Sequence, residues 1–372
     1  MPALSFTPAF SLLTAFGRMS PTQPFRTFIR STGYKLRPPR PVIFNPTVHR
    51  AQEAVRSRME VGPHQVATIL REQRKGTVPT IVLGGFVPDA TEQVYLMRGF
   101  LLKRGSVYYF NYPHSGFSID MAFAQLDDLV DELAEQYGQR PVIFCVSFGV
   151  GLLMEWLKRA RLAGRRVDLR GLVLISPVAC VEDLLAPGTA KPTTLLGRAV
   201  HPFFDPKAAV DERGIAKARG IFTKMFEAGA ANKASLLVLM TRRELIKLRN
   251  AVIKTIQDIS ATGATERVQS MRQMEPASSY FSQTLLPLSE APTLIMYAEK
   301  ETSVIAEHSP TRFALESAHR AYFPNGQFKI ITNHRGSPVQ HASLIFHCFN
   351  FLPPISAFYR HLKKNGKLHL AA

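Results

Sequence analysis

Cysteine is scarce in this chain: Cys145, Cys180 and Cys348 are the three present in 372 residues. They lie far apart with no C-x-x-C pairing, which argues against a disulfide framework and a cysteine-based zinc site and predicts a reducing compartment, the cytoplasm. Acidic residues are also few, 28 against 46 lysines and arginines, giving a net charge of +18. Such a field favours anionic partners. No zinc-finger spacing, aromatic RNP signature or tandem basic heptads accompany it, so no nucleic-acid partner is expected. The charge then reads in two ways, as a solvated basic surface or as peripheral attraction to an anionic membrane. No uninterrupted apolar run reaches the length needed to span a bilayer. Phosphate-binding glycine motifs and metal-ligand spacing are missing as well, and no cofactor is expected.

The first fifty residues contain no acidic residue but hold Arg18, Arg26, Arg30, Lys35, Arg37, Arg40 and Arg50. This composition overlaps with organelle transit peptides and lacks the basic start and clean apolar block of a secretory signal. Two further readings stay open: a tail lying on a membrane, or one packing across the core. Arg37-Pro-Pro-Arg-Pro41 reads as an extended linker.

Beyond it, short apolar runs alternate with helical patterns. Strands are expected at Thr80–Phe86, Ser106–Tyr112, Val142–Phe144, Gly171–Ile175, Thr293–Ala298 and Phe328–Thr332. Helices are expected near Val48–Met59, Thr91–Lys103, Ile119–Tyr137, Leu152–Ala160 and His341–Phe351. In the long one, Leu126, Leu129, Val130 and Leu133 share a face among Asp127, Asp128, Asp131 and Glu132. This alternation implies β-α-β units and a mostly parallel sheet covered by helices on both faces. It is interrupted between Pro177 and Ala291, where a helical pattern over Ala234–Gln257 combines an apolar face with Arg242, Arg243, Lys247, Arg249 and Lys254. An insertion of that size over strand ends reads as a helical lid. The chain divides into a basic extension (1–60), a core in two parts (61–185 and 291–372) and the insertion (186–290).

The most informative stretch is Pro141-Val-Ile-Phe-Cys-Val-Ser-Phe-Gly-Val-Gly151. A serine can be presented on a sharp strand-to-helix turn only if the residues two positions either side are small. This is the G-x-S-x-G nucleophile elbow, here with Cys145 at the first small position, and it makes Ser147 the candidate nucleophile. The competing reading is a plain strand whose following helix is capped by a serine.

With its element order and this elbow, the chain resembles the α/β-hydrolase superfamily over roughly Thr77–Phe351. The resemblance implies a Ser-acid-His order, each residue in a loop at the carboxyl end of a strand. After Thr293–Ala298, Tyr297-Ala-Glu-Lys-Glu-Thr-Ser-Val304 is similar to the family's G-x-x-D-x-x-V and points to Glu301 as the acid. Glu299 and Asp183 are the rivals. After the last strand stand His334 and His341, with His341 favoured as the base, and His347 reads as a packing or surface residue. The oxyanion donors implied are the backbone N–H groups of Phe86 and Phe148. Asn111-Tyr-Pro-His-Ser-Gly116 reads as a plain turn, with pocket lining as the other reading. The activity expected is serine-dependent cleavage of carboxylic esters with an apolar acyl part, the partner being a small-molecule ester or lipid. Acyl transfer, thioester hydrolysis and a non-catalytic membrane-binding role are the alternatives.

Overall fold

In the computed structural model, residues 41–185, 192–205, 212–229, 240–334 and 336–368 are described, with no side chains beyond 362. Eight strands form one sheet: β1 (Val42–Ile43), β2 (Thr68–Glu72), β3 (Thr80–Leu83), β4 (Val107–Asn111), β5 (Val142–Val146), β6 (Gly171–Ile175), β7 (Thr293–Ala298) and β8 (Gly326–Ile331). Their order is β1-β2-β4-β3-β5-β6-β7-β8. The run from β4 to β8 is parallel, and β1 and β2 add an antiparallel edge.

The described helices are α1 (Arg50–Arg56), α2 (Ala90–Gln93), α3 (Arg98–Leu101), α4 (Ile119–Tyr137), α5 (Phe148–Leu162), α6 (Leu195–Val200), α7 (Glu212–Gly229), α8 (Arg242–Asp258), α9 (Ala261–Gln273), α10 (Pro310–Tyr322) and α11 (Cys348–Leu368). Both sheet faces are covered, which is why β5 and β6 carry no polar side chain other than the thiol of Cys145. Ile143, Cys145, Leu172 and Leu174 face one core with Leu129 and Leu133 of α4 and Leu153 and Leu157 of α5. Val142, Phe144, Val146 and Val173 face the other, with Phe100 and Leu101 of α3 and Phe351 and Ile355 of α11. No described helix is long and apolar enough to cross a membrane.

α4 falls where its pattern predicts, because Ser118 Oγ caps the Met121 N–H at 3.2 Å and Gly138 closes the helix at φ 58°. Its acids are not all solvated. Asp128 and Glu132 are buried and accept from the Ala51, Gln52, Thr47 and Val48 backbone N–H groups. Residues 42–56 are thereby fastened to the core, while the arginine-rich segment 1–40 lies outside the described residues.

Three expectations are corrected. The helix expected over Thr91–Lys103 is broken into α2, a tighter turn at Tyr95–Met97, and α3. The last helix starts at Cys348 rather than His341, because Ala342 has a left-handed backbone (φ 48°) that no helix continues through. His341 and Ala342 are therefore loop residues. The helix expected over Ala234–Gln257 begins at Arg242, and 230–239 lie outside the described residues.

Candidate active site

β5 ends at Val146 and α5 begins at Phe148, so Ser147 makes the turn alone. Its backbone sits at φ 51°, ψ −117°, a strained setting that costs on the order of 1–3 kcal/mol for a residue bearing a Cβ. The two glycines after the serine are required by neighbouring backbone. A Cβ on Gly149 would fall 2.5 Å from the Gly84 carbonyl oxygen, and one on Gly151 2.6 Å from that of Val178. Cys145 is fully buried in β5, and burial pushes its thiol well above the usual range, which makes it a poor nucleophile.

His341 Nε2 stands 2.8 Å from Ser147 Oγ, and His341 Nδ1 pairs with Glu301 Oε2. A carboxylate only accepts, so Nδ1 carries the ring proton and the Nε2 lone pair faces the serine hydroxyl. Glu301 is 1% exposed. Its other oxygen, Oε1, accepts from the Ala298 N–H at 2.6 Å and the Ser176 hydroxyl at 2.7 Å. Ser176 Oγ in turn accepts from the Ala342 N–H at 3.1 Å. One hydroxyl thus ties the acid to the backbone beside the histidine.

The rivals are engaged elsewhere. Asp183 Oδ1 accepts from the Ser309 hydroxyl and Thr311 N–H, and Oδ2 from the Ala179 and Cys180 N–H groups, between 2.6 and 3.2 Å. Glu299 Oε1 accepts from the Asn333 and Val339 N–H groups and so braces the loop that carries His341. His334 is exposed beside Thr332 Oγ1 at 3.0 Å. His347 is buried against Ser343 Oγ at 3.0 Å, and burial lowers its pKa.

The Gly84–Phe86 loop passes directly beside the serine: a Cβ on Gly85 would lie 3.4 Å from Ser147 Cβ. The Phe86 and Phe148 N–H groups make no hydrogen bond among the described residues. Their rings pack at 5.8 Å between centroids. Above Ser147 opens a cavity of about 520 Å³. It is lined by Phe222, Met225 and Phe226 of α7, Val252 and Ile256 of α8, and Leu195, Leu196, Val304, Ile345 and Phe346, with Gln93 and Lys300 among the polar lining. A second cavity of about 600 Å³ lies at the opposite end of the sheet, beside Arg140, Leu169 and Pro292, which lead into β5, β6 and β7. Parallel sheets gather their ligands at the carboxyl ends of the strands, where Ser147 sits.

No family model and no curated protein sequence matches the chain. Solved structures do. A thermophilic esterase from Thermogutta terrifontis superposes with a TM-score of 0.54 at 14% identity, covering 87% of this chain and 99% of that one. An epoxide hydrolase from Bacillus megaterium gives 0.51 at 12%, over 79% and 97%. A membrane phospholipase A that is a bacterial virulence factor gives 0.51 at 12%, over 97% and 94%. The chain has the α/β-hydrolase fold. In this α/β-hydrolase core the Asn111–Gly116 turn serves as a seat for α9: the Ser260 N–H donates to the His114 carbonyl at 3.0 Å, and a Cβ on Gly263 would strike that oxygen. Two polar residues near Ser147 escape sequence reasoning. Ser176 could have been suspected from its place directly after β6. Gln93 carries no signal, since it sits in a segment that reads as an ordinary helix.

Proposed function

We propose that the chain is a serine hydrolase that cleaves carboxylic esters with an apolar acyl group. The observation that carries the reading is the hydrogen-bonded line Ser147–His341–Glu301 opening into an apolar cavity. In this mechanism Ser147 Oγ attacks the acyl carbon while His341 Nε2 takes its proton. Glu301 holds the Nδ1–H and stabilises the imidazolium that forms. The carbonyl oxygen becomes an oxyanion beside the Phe86 and Phe148 N–H groups. Collapse expels the alcohol with the proton from His341 and leaves an acyl-enzyme. Water, deprotonated by the same nitrogen, then releases the acid and restores the hydroxyl. The acyl chain occupies the cavity under α7 and α8, which act as the roof of a lid inserted between β6 and β7.

The roof also supports a membrane partner. Arg213, Lys217 and Lys224 on α7 and Arg242, Arg243 and Lys247 on α8 are exposed, while the same helices turn Phe222, Met225, Val252 and Ile256 toward the cavity. Basic residues near an anionic bilayer attract it in a salt-dependent way. Turnover of p-nitrophenyl esters of graded acyl length tests the enzymatic reading. Activity on apolar acyl chains that is lost in Ser147→Ala supports it, and failure of every ester overturns it. Salt-sensitive binding to phosphatidylserine vesicles, retained in Ser147→Ala, tests the membrane contact separately; equal binding to neutral vesicles argues against it.

A further inference from the structure

Arg267 is a cation buried in the interior of the fold. It lies in α9, within the insertion, and is 2% exposed. No carboxylate among the described residues forms an ion pair with it, Asp89 acting only from a distance. Burial lowers its pKa to about 10, which leaves it charged at neutral pH. A buried cation without a paired anion is strongly unfavourable unless other groups take up its charge. Here backbone carbonyls and ring faces do so. Nη1 donates to the Phe86 carbonyl at 2.5 Å and Nη2 to the Pro113 carbonyl at 3.0 Å, with the Tyr112 carbonyl at 3.4 Å. The guanidinium also stands over the rings of Phe86 and Tyr112, at 5.7 and 5.6 Å.

The Gly84–Phe86 loop, one of the two that Arg267 contacts, is held by other buried side chains as well. The Tyr112 hydroxyl donates to the Gly84 carbonyl at 3.2 Å, and Gln93 Oε1 accepts the Gly85 N–H at 2.7 Å. Three consecutive residues, Gly84, Gly85 and Phe86, are therefore each held by a different buried side chain: Tyr112 in the loop after β4, Gln93 of α2 and Arg267 of α9. The peptide between Gly85 and Phe86 is fixed on both sides, and its N–H, that of Phe86, is left unbonded beside Ser147.

We propose, resting on the serine-hydrolase reading above, that Arg267 is a positioning residue: it holds the Gly84–Phe86 loop so that the Phe86 N–H is preset for the oxyanion that forms at Ser147. The planar guanidinium meets two carbonyls on separate loops through two nitrogens held in a fixed fork; a lysine ammonium, a single nitrogen on a flexible stem, does not reproduce that fork. The insertion thereby contributes to transition-state stabilisation from outside the reacting groups.

The test compares Arg267→Gln and Arg267→Lys with the wild type on one p-nitrophenyl ester. Two inhibitors of matched chain length accompany it: an alkyl boronic acid, which forms a tetrahedral adduct with Ser147, and an alkyl ether, which only fills the cavity. Displacing an oxyanion donor, rather than removing it, lowers kcat by roughly 10- to 100-fold. An interaction made only in the transition state leaves KM unchanged. The expected result is that kcat and boronate affinity fall by the same factor while KM and ether affinity hold, with Arg267→Lys closer to Arg267→Gln than to wild type. Glu266→Gln, which alters α9's bonds to the Phe117 N–H and Gln65, is the structural control, and its boronate-to-ether ratio should stay at the wild-type value. If the Arg267 variants do not fold, Gln93→Leu releases the Gly85 N–H from the other side and should give the same split. An active wild type with Arg267 or Gln93 variants of unchanged kcat, or with KM and kcat shifted together with ether affinity, overturns the positioning role alone. A wild type that neither turns over ester nor binds boronate overturns the hydrolase reading and this one with it.

Discussion

Replacing Glu301 by glutamine separates the two jobs of this side chain, because its oxygens have different partners. Oε1 receives the Ala298 N–H and the Ser176 hydroxyl, and Oε2 faces His341 Nδ1. In Glu301→Gln the amide carbonyl must keep the Oε1 position, since an NH₂ there would confront two donors. The NH₂ is then directed at His341, and Nδ1 can only accept. The ring proton moves to Nε2, which no longer takes the proton of Ser147. In a Ser-His-Asp enzyme, loss of the correct tautomer with geometry intact lowers kcat by about 10⁴, or about 5.5 kcal/mol at 1.36 kcal/mol per decade. Stability should change little, by about 1 kcal/mol, because the Ala298 N–H and the Ser176 hydroxyl keep their acceptor and one amide N–H takes the place of the contact to His341. The assay is kcat on a p-nitrophenyl ester beside a urea unfolding curve. Glu299→Gln serves as the comparison, since its carbonyl can still face the Asn333 and Val339 N–H groups, and its activity should stay close to wild type. A Glu301→Gln enzyme within about tenfold of wild type at unchanged stability would refute the tautomer argument.

Two further outcomes follow from buried carboxyls outside the reaction. Asp183→Ala strands four donors in the interior and should cost about 3–5 kcal/mol of stability; activity per folded molecule should persist, and a stable, inactive variant would show that Asp183 acts in the chemistry. Glu92, on α2 against Thr255 of α8, is raised by burial, and then by Asp89, to about 8. The folded state therefore holds a proton there that the unfolded chain loses near the ordinary carboxyl value, so this group's contribution is complete below about pH 4.5 and declines as pH rises toward 8. Glu92→Gln should flatten that decline and stabilise by about 1 kcal/mol at pH 8, a rise in Tm of about 2 °C; an identical pH–stability curve for both proteins would argue against it.

The central strands are legible in the sequence because burial on both faces leaves no polar position to blur them, as in Val142–Val146 and Gly171–Ile175. β2 is not legible. Its Arg71 and Glu72 read as solvated, yet Arg71 lies 4.5 Å from the Phe44 ring and Glu72 pairs with Arg98, a partner 26 residues on. The serine is visible from local pattern alone, since the turn itself demands small neighbours. Choosing Glu301 over Glu299, and His341 over His334, depends on which side chain the loops turn inward, and that is decided by contacts such as Ser176 with Glu301 and Glu299 with Val339. Arg267 shows the limit most clearly. It sits beside Glu266 in a polar helical stretch, and nothing local distinguishes it from a solvated arginine; its partner Phe86 is 181 residues away.

Labelling by a fluorophosphonate probe tests the central claim most directly, because the probe reacts preferentially with a serine whose proton is being removed. Wild type, Ser147→Ala, His341→Ala and His334→Ala are compared as folded proteins. The expected result is labelling of wild type and His334→Ala, with loss in Ser147→Ala and His341→Ala. A folded wild type that does not label, or labelling that survives Ser147→Ala, contradicts the account.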